Sequence, residues 1–65
     1  MKNLTERQVE VLKLIADGQS HEEIGEKLYF SRSTVKREVL ILLTKLGASN
    51  APQAVATAFR LGILK

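Results

Sequence analysis

Apolar residues recur along this chain at helical spacing. Gln8, Val11, Leu12 and Ile15 fall on one helix face, preceded by Thr5-Glu6-Arg7-Gln8, whose Ser/Thr-x-x-Glu/Gln form is a capping box. Leu4 is placed to staple onto the first turn, and Asp17-Gly18 supplies an end, so a first helix is predicted from about Glu6 to Asp17. Ser20-His21-Glu22-Glu23 is a second box, followed by Ile24 and Leu28, which predicts a short helix over His21 to Leu28. Ser31 is placed to cap a third helix, along which Val35, Val39, Leu42 and Leu46 keep one apolar stripe up to Gly47. Asn50, with Pro52 in the first turn and Gln53 three residues on, opens a fourth, expected to turn Ala54, Val55, Ala58 and Phe59 inward and to stop before Gly62. The short connections and the lack of an internal repeat or low-complexity linker predict one all-α, four-helix domain over residues 1–65.

Composition supports helices over sheets. Hydrophobic residues make up 45% of the 65, with two Phe, one Tyr and no Trp, so the core should be Leu, Ile, Val and Ala. There is no cysteine and one histidine, His21, which excludes disulfides and cysteine-based zinc sites; no metal or cofactor is expected. The first fifteen residues lack the apolar core of a signal peptide, and no run is long enough to cross a bilayer, so a cytoplasmic protein is expected. The chain offers no Ser/His/Asp or Cys/His set and no phosphate-cradling glycine loop, which makes an enzyme the poorest class.

Charge changes the picture through its distribution. Residues 1–30 hold four basic and six acidic side chains, residues 31–46 four basic and one acidic, and residues 47–65 two basic and none acidic. The second half is therefore the one suited to a polyanion. Its basic residues begin where the second of two helices joined by a tight break begins, with Arg32, Lys36 and Arg37, which is the layout of a helix-turn-helix that enters DNA. With the stripe turned inward, Ser33, Lys36, Arg37, Leu40 and Thr44 lie on the opposite side. Lys36 and Arg37 can donate to guanine O6 and N7, and Leu40 can press on a thymine methyl. Ser31 and Thr34 suit phosphate oxygens, or serve only as caps.

The series Leu4-Thr5-x-Arg7, Glu10-Val11-Leu12, Ala16-x-Gly18-x-Ser20, Glu23-Ile24, Leu28, Ser31-x-x-Thr34-Val35-Lys36, Lys45-Leu46-Gly47, Ala54-Val55, Ala58 and Gly62-Ile63 resembles the LuxR-type (LuxR/FixJ) DNA-binding domain over nearly the whole chain. The resemblance implies a bacterial transcription regulator that places its third helix in the major groove of double-stranded DNA. It places Lys36, Arg37, Leu40 and Ser33 at the bases and Ser31, Thr34, Arg32, Lys45 and Ser20 at the phosphates. The family is usually an output module behind a receiver or ligand-binding domain, so a stand-alone regulator or an excised module is expected, located at the nucleoid. The resemblance further implies a homodimer through helix four, with Gln53, Ala56, Thr57 and Arg60 on the contact and an inverted-repeat operator.

Several positions depart from the family pattern. Glu38 stands where His is common, and its carboxylate either accepts from cytosine N4, pairs with Lys45 or repels phosphate. Leu40 and Ile41 replace polar or basic residues within Val39-Leu40-Ile41-Leu42-Leu43, five residues that one stripe cannot bury. Either Leu40 meets thymine methyls with Ile41 at the edge, or the pair is an apolar patch for a protein partner. The second option defines the alternative function, an adaptor or anti-regulator that engages another regulator or RNA polymerase. Ala51 replaces a frequent Arg, and His21, where Asn is common, is expected on the surface. Tyr29 and Phe30, at the turn, are expected to be core plugs rather than stacking platforms.

Overall fold

The computed structural model describes residues 4–65 and contains α1 (Glu6–Ala16), α2 (His21–Leu28), α3 (Arg32–Leu46) and α4 (Ala51–Arg60), with no strand among the described residues. The all-α, four-helix expectation therefore holds, and α1 ends one residue earlier than expected, with Asp17 as its C-cap.

Each helix begins on the cap its sequence offers. Thr5 Oγ1 accepts from the Gln8 amide while Gln8 Oε1 accepts from the Thr5 amide, both at 3.1 Å. Ser20 and Glu23 reciprocate in the same way at 3.1 and 2.8 Å. Ser31 Oγ accepts from the Thr34 amide at 3.2 Å, and Asn50 Oδ1 from the Gln53 amide at 2.9 Å. The Gln53 side chain reaches past the cap, its Oε1 accepting from the Ser49 amide at 2.6 Å.

The core is assembled around α3, which packs against all three other helices. Val35, Val39, Leu42 and Leu46 of α3 are buried with Val11 and Leu12 of α1, Ile24 of α2, and Ala54 and Ala58 of α4. Leu64, which no periodicity marked, completes it. Gly62 takes φ +77°, and the Ile63 and Leu64 amides then both donate to the Ala58 carbonyl, at 2.9 and 3.2 Å, turning Leu64 inward.

Two expectations about aromatic residues are revised, those for Phe59 and Tyr29, while Phe30 packs against the core as expected. Phe59 was expected inward but is 51% exposed, because Ala54 and Ala58 form the buried stripe and Phe59 lies about 100° of helical rotation from Ala58. Tyr29 was expected in the core but is 94% exposed: it is the C-cap of α2, in the left-handed conformation with φ 58°. Phe30 is half-buried against the core, with the Arg7 guanidinium 4.8 Å from its ring centre.

The turn between α2 and α3 is close-packed. The Phe30 amide donates to the Gly25 carbonyl at 2.9 Å, and a Cβ on Gly25 would stand 2.8 Å from the Phe30 carbonyl oxygen. Only glycine lets α2 lie this close to the chain leading into α3. No helix among the described residues is long and apolar enough to cross a membrane.

Candidate nucleic-acid interface

The buried stripe of α3 fixes what its other side displays. With Val35, Val39, Leu42 and Leu46 inside, Arg32, Ser33, Lys36, Arg37, Leu40 and Thr44 are exposed. Leu40, at 57% exposure, lies one turn beyond Lys36, so an apolar surface continues a cationic one. Ile41 and Leu43 are half-buried, which settles how the five-residue apolar run divides: Val39 and Leu42 go inside, Ile41 and Leu43 sit at the edges, and Leu40 projects. Arg37, Leu40, Ile41, Thr44 and Lys45 line one shallow groove. Thr44 Oγ1 donates to the Leu40 carbonyl at 3.0 Å, so its hydroxyl proton is used within the helix.

The two flanks of α3 differ. Toward α2, Arg32 and Lys36 share a shallow depression with Ser20, His21 and Glu22. There Arg32 Nη2 approaches Glu22 Oε2 at 3.5 Å. Ser31 and Thr34, at the head of α3, have their hydroxyls 2.9 Å apart, so the cap that holds the helix start also gathers two hydroxyls beside Arg32.

Toward α1, Glu38 and Lys45 converge on Gln8, a polar residue only 5% exposed. Gln8 Nε2 donates to Glu38 Oε1 at 3.4 Å, and Lys45 Nζ donates to Gln8 Oε1 at 2.9 Å. Both residues are half-buried there. The Gln8 amide therefore joins the cap of α1 to two turns of α3, and Glu38 meets Lys45 through that amide. The sequence marks Gln8 as a capping residue on the inward face of the first helix, but nothing local signals its partners thirty or more positions away.

On α4, Gln53, Ala56 and Arg60 are exposed and Thr57 is half-buried, with Arg60 Nη2 donating to Thr57 Oγ1 at 3.2 Å. Hydrogen bonds from the Ser20 backbone and then its side chain, with the Lys27 charge, hold the Glu23 carboxyl below the ordinary value of 4.5. No cluster of metal-ligating side chains occurs among the described residues.

Two capped helices joined by a tight turn, the second presenting cations outward from a buried stripe, define a helix-turn-helix protein. The family model described as bacterial regulatory proteins, luxR family, matches residues 2–58, and the chain belongs to that family of DNA-binding transcription regulators. It is 42% identical over 59 residues to the transcriptional regulatory protein LiaR of Bacillus subtilis (strain 168), a match covering 91% of this chain and 28% of LiaR. It is 44% identical over 62 residues to the transcriptional regulatory protein DegU of Brevibacillus brevis, covering 95% of this chain and 26% of DegU. The chain thus spans about a quarter of the length of these two curated relatives. Among solved structures, the transcription factor GerE superposes with a TM-score of 0.90 at 34% identity, over 95% of this chain and 92% of GerE. The response regulator ChrA of a heme-sensing two-component system superposes with a TM-score of 0.93 at 28% identity, over 98% of this chain and 32% of ChrA.

Proposed function

We propose that residues 1–65 form one sequence-specific DNA-binding domain that lays α3 in the major groove and acts as a homodimer on an inverted repeat. The observation that carries this reading is the outward placement of Lys36, Arg37 and Leu40 on a helix whose opposite stripe is buried. Only the major groove admits such a helix and offers donors, acceptors and thymine methyls in a pattern that distinguishes base pairs. Lys36 and Arg37 donate to guanine, Leu40 contacts a thymine methyl, and Ser33 lies on the same exposed side. Ser31, Thr34, Arg32 and Ser20 meet phosphate around the helix starts and set the register. Lys45 is the weakest member of the phosphate set, because its ammonium already donates to Gln8. Gln53, Ala56, Thr57 and Arg60 form the contact between subunits, and the protein works at the nucleoid in the cytoplasm.

A selection from random duplexes with the purified protein tests this reading. Enrichment of an inverted repeat is the expected result. Failure to enrich any motif rejects it and favours the adaptor, for which exposed Leu40 and the apolar groove around Ile41 would be the docking surface for a regulator or RNA polymerase.

A further inference from the structure

We propose that Glu22 is a built-in competitor of DNA phosphate for Arg32, lowering affinity for all sequences alike. The inference rests on the DNA-binding reading above. In the depression lined by Ser20, His21, Glu22, Arg32 and Lys36, the fixed cations are Arg32 and Lys36, and Glu22 is the carboxylate set among them. The adjacent acid, Glu23, is committed to the Ser20 capping box, so Glu22 is the carboxylate that turns to α3. Its Oε2 lies 3.5 Å from Arg32 Nη2, with the two side chains 72% and 78% exposed. Neither Lys36 nor Arg37 takes part in an ion pair among the described residues, so of these three cations the restraint falls on Arg32.

An exposed pair of this kind is weak enough for a phosphate to displace. Displacement leaves the Glu22 carboxylate without its partner beside the phosphates. The Arg32 contact to the backbone is therefore made at the expense of the pair and contributes less affinity than the same contact from an unpaired cation. Because phosphate carries no base identity, the loss is the same for specific and random duplexes.

The test titrates the wild type, Glu22→Gln, Arg32→Ala and the double variant with a selected duplex and a random one between about 50 and about 200 mM salt. Glu22→Gln should bind both duplexes about 2- to 5-fold more tightly at low salt. The gain should shrink as salt rises, because the exposed pair that Glu22 makes is itself screened. The gain should disappear in the Arg32→Ala background, and Glu22→Ala should reproduce it. Unchanged affinity in Glu22→Gln overturns the inference, as does a gain confined to one duplex. A gain that persists without Arg32 also overturns it, since Glu22 would then act only by repelling phosphate. A wild type with no affinity for either duplex rejects the DNA reading itself, and this inference with it.

Discussion

Lys36 and Arg37 occupy adjacent positions on α3 but not equivalent ones. Lys36 borders the depression toward α2 that holds Arg32, while Arg37 borders the apolar groove with Leu40 and Ile41. Both are exposed. A base-reading contact is recognised by its effect on discrimination, because losing a phosphate contact weakens all sequences equally. Lys36→Ala and Arg37→Ala should each cost about 1–3 kcal/mol on the preferred duplex and reduce the ratio of specific to random affinity. Fluorescence titration of each variant against both duplexes checks this, and an unchanged ratio would remove the two residues from the base-reading set. Their exposure was legible in the sequence because the apolar stripe of α3 is continuous and a helix face is fixed by periodicity alone. Gln8 and Glu22 were not legible in the same way. Their partners lie on another helix, and which side chains meet across two helices depends on packing that no local pattern records.

At the scale of elements, the helix starts were legible for a related reason. Thr5, Ser20, Ser31 and Asn50 each act on an amide three residues away, so cap and target lie within one short window. The ends were harder: Tyr29 is an unlikely αL residue by type, and only the geometry of the turn into α3 puts it there. Left-handed backbone costs a Cβ-bearing residue roughly 1–2 kcal/mol, and Tyr29, almost wholly exposed, has little packing to offset it. Tyr29→Gly should therefore stabilise the domain by about 0.5–1 kcal/mol after the added unfolded-state entropy is counted. Gly25→Ala, four residues earlier, should do the reverse. Alanine gains about 1 kcal/mol of helix propensity, but its methyl would meet the Phe30 backbone oxygen, and a net loss of about 1–3 kcal/mol is expected. Urea unfolding of both variants measures the opposite signs.

The α2 cap adds a pH dependence. The Glu23 carboxyl is held low in the folded domain, chiefly by the Ser20 backbone, so its contribution is present above the ordinary value of 4.5. It is lost as pH falls through the lowered folded value. Glu23→Gln retains the capping hydrogen bond without the charge. The stability difference between wild type and this variant should be present at neutral pH and shrink on acidification below about 4.5, as followed by thermal melting across pH. A difference that stays constant through that range would detach the cap from the titration.

For the whole molecule, size bears on the proposed mode of binding. The described residues span 28 × 20 × 19 Å, and α3 is their one helix with an outward cationic side, so under the proposed reading a single chain would address a single half-site. Such an interface lies at the small end for specific DNA complexes. Two chains related by a two-fold axis would double it, and α4 has the features that a contact of this kind needs: Ala56 is exposed and small, which lets two helices approach closely, and Gln53, Thr57 and Arg60 surround it with polar groups. Exposed Phe59 lies on the other edge of α4, facing the groove with Lys13, Ala16 and Ile63, and is not part of this set. Sedimentation with a palindromic duplex whose half-sites lie about one helical turn apart should give two chains per duplex. Replacing Ala56 by Arg should shift that stoichiometry toward one chain and reduce affinity on the palindrome much more than on an isolated half-site. A strict one-to-one complex for the wild type would exclude pairing through α4 and leave the single helix as the complete reading head.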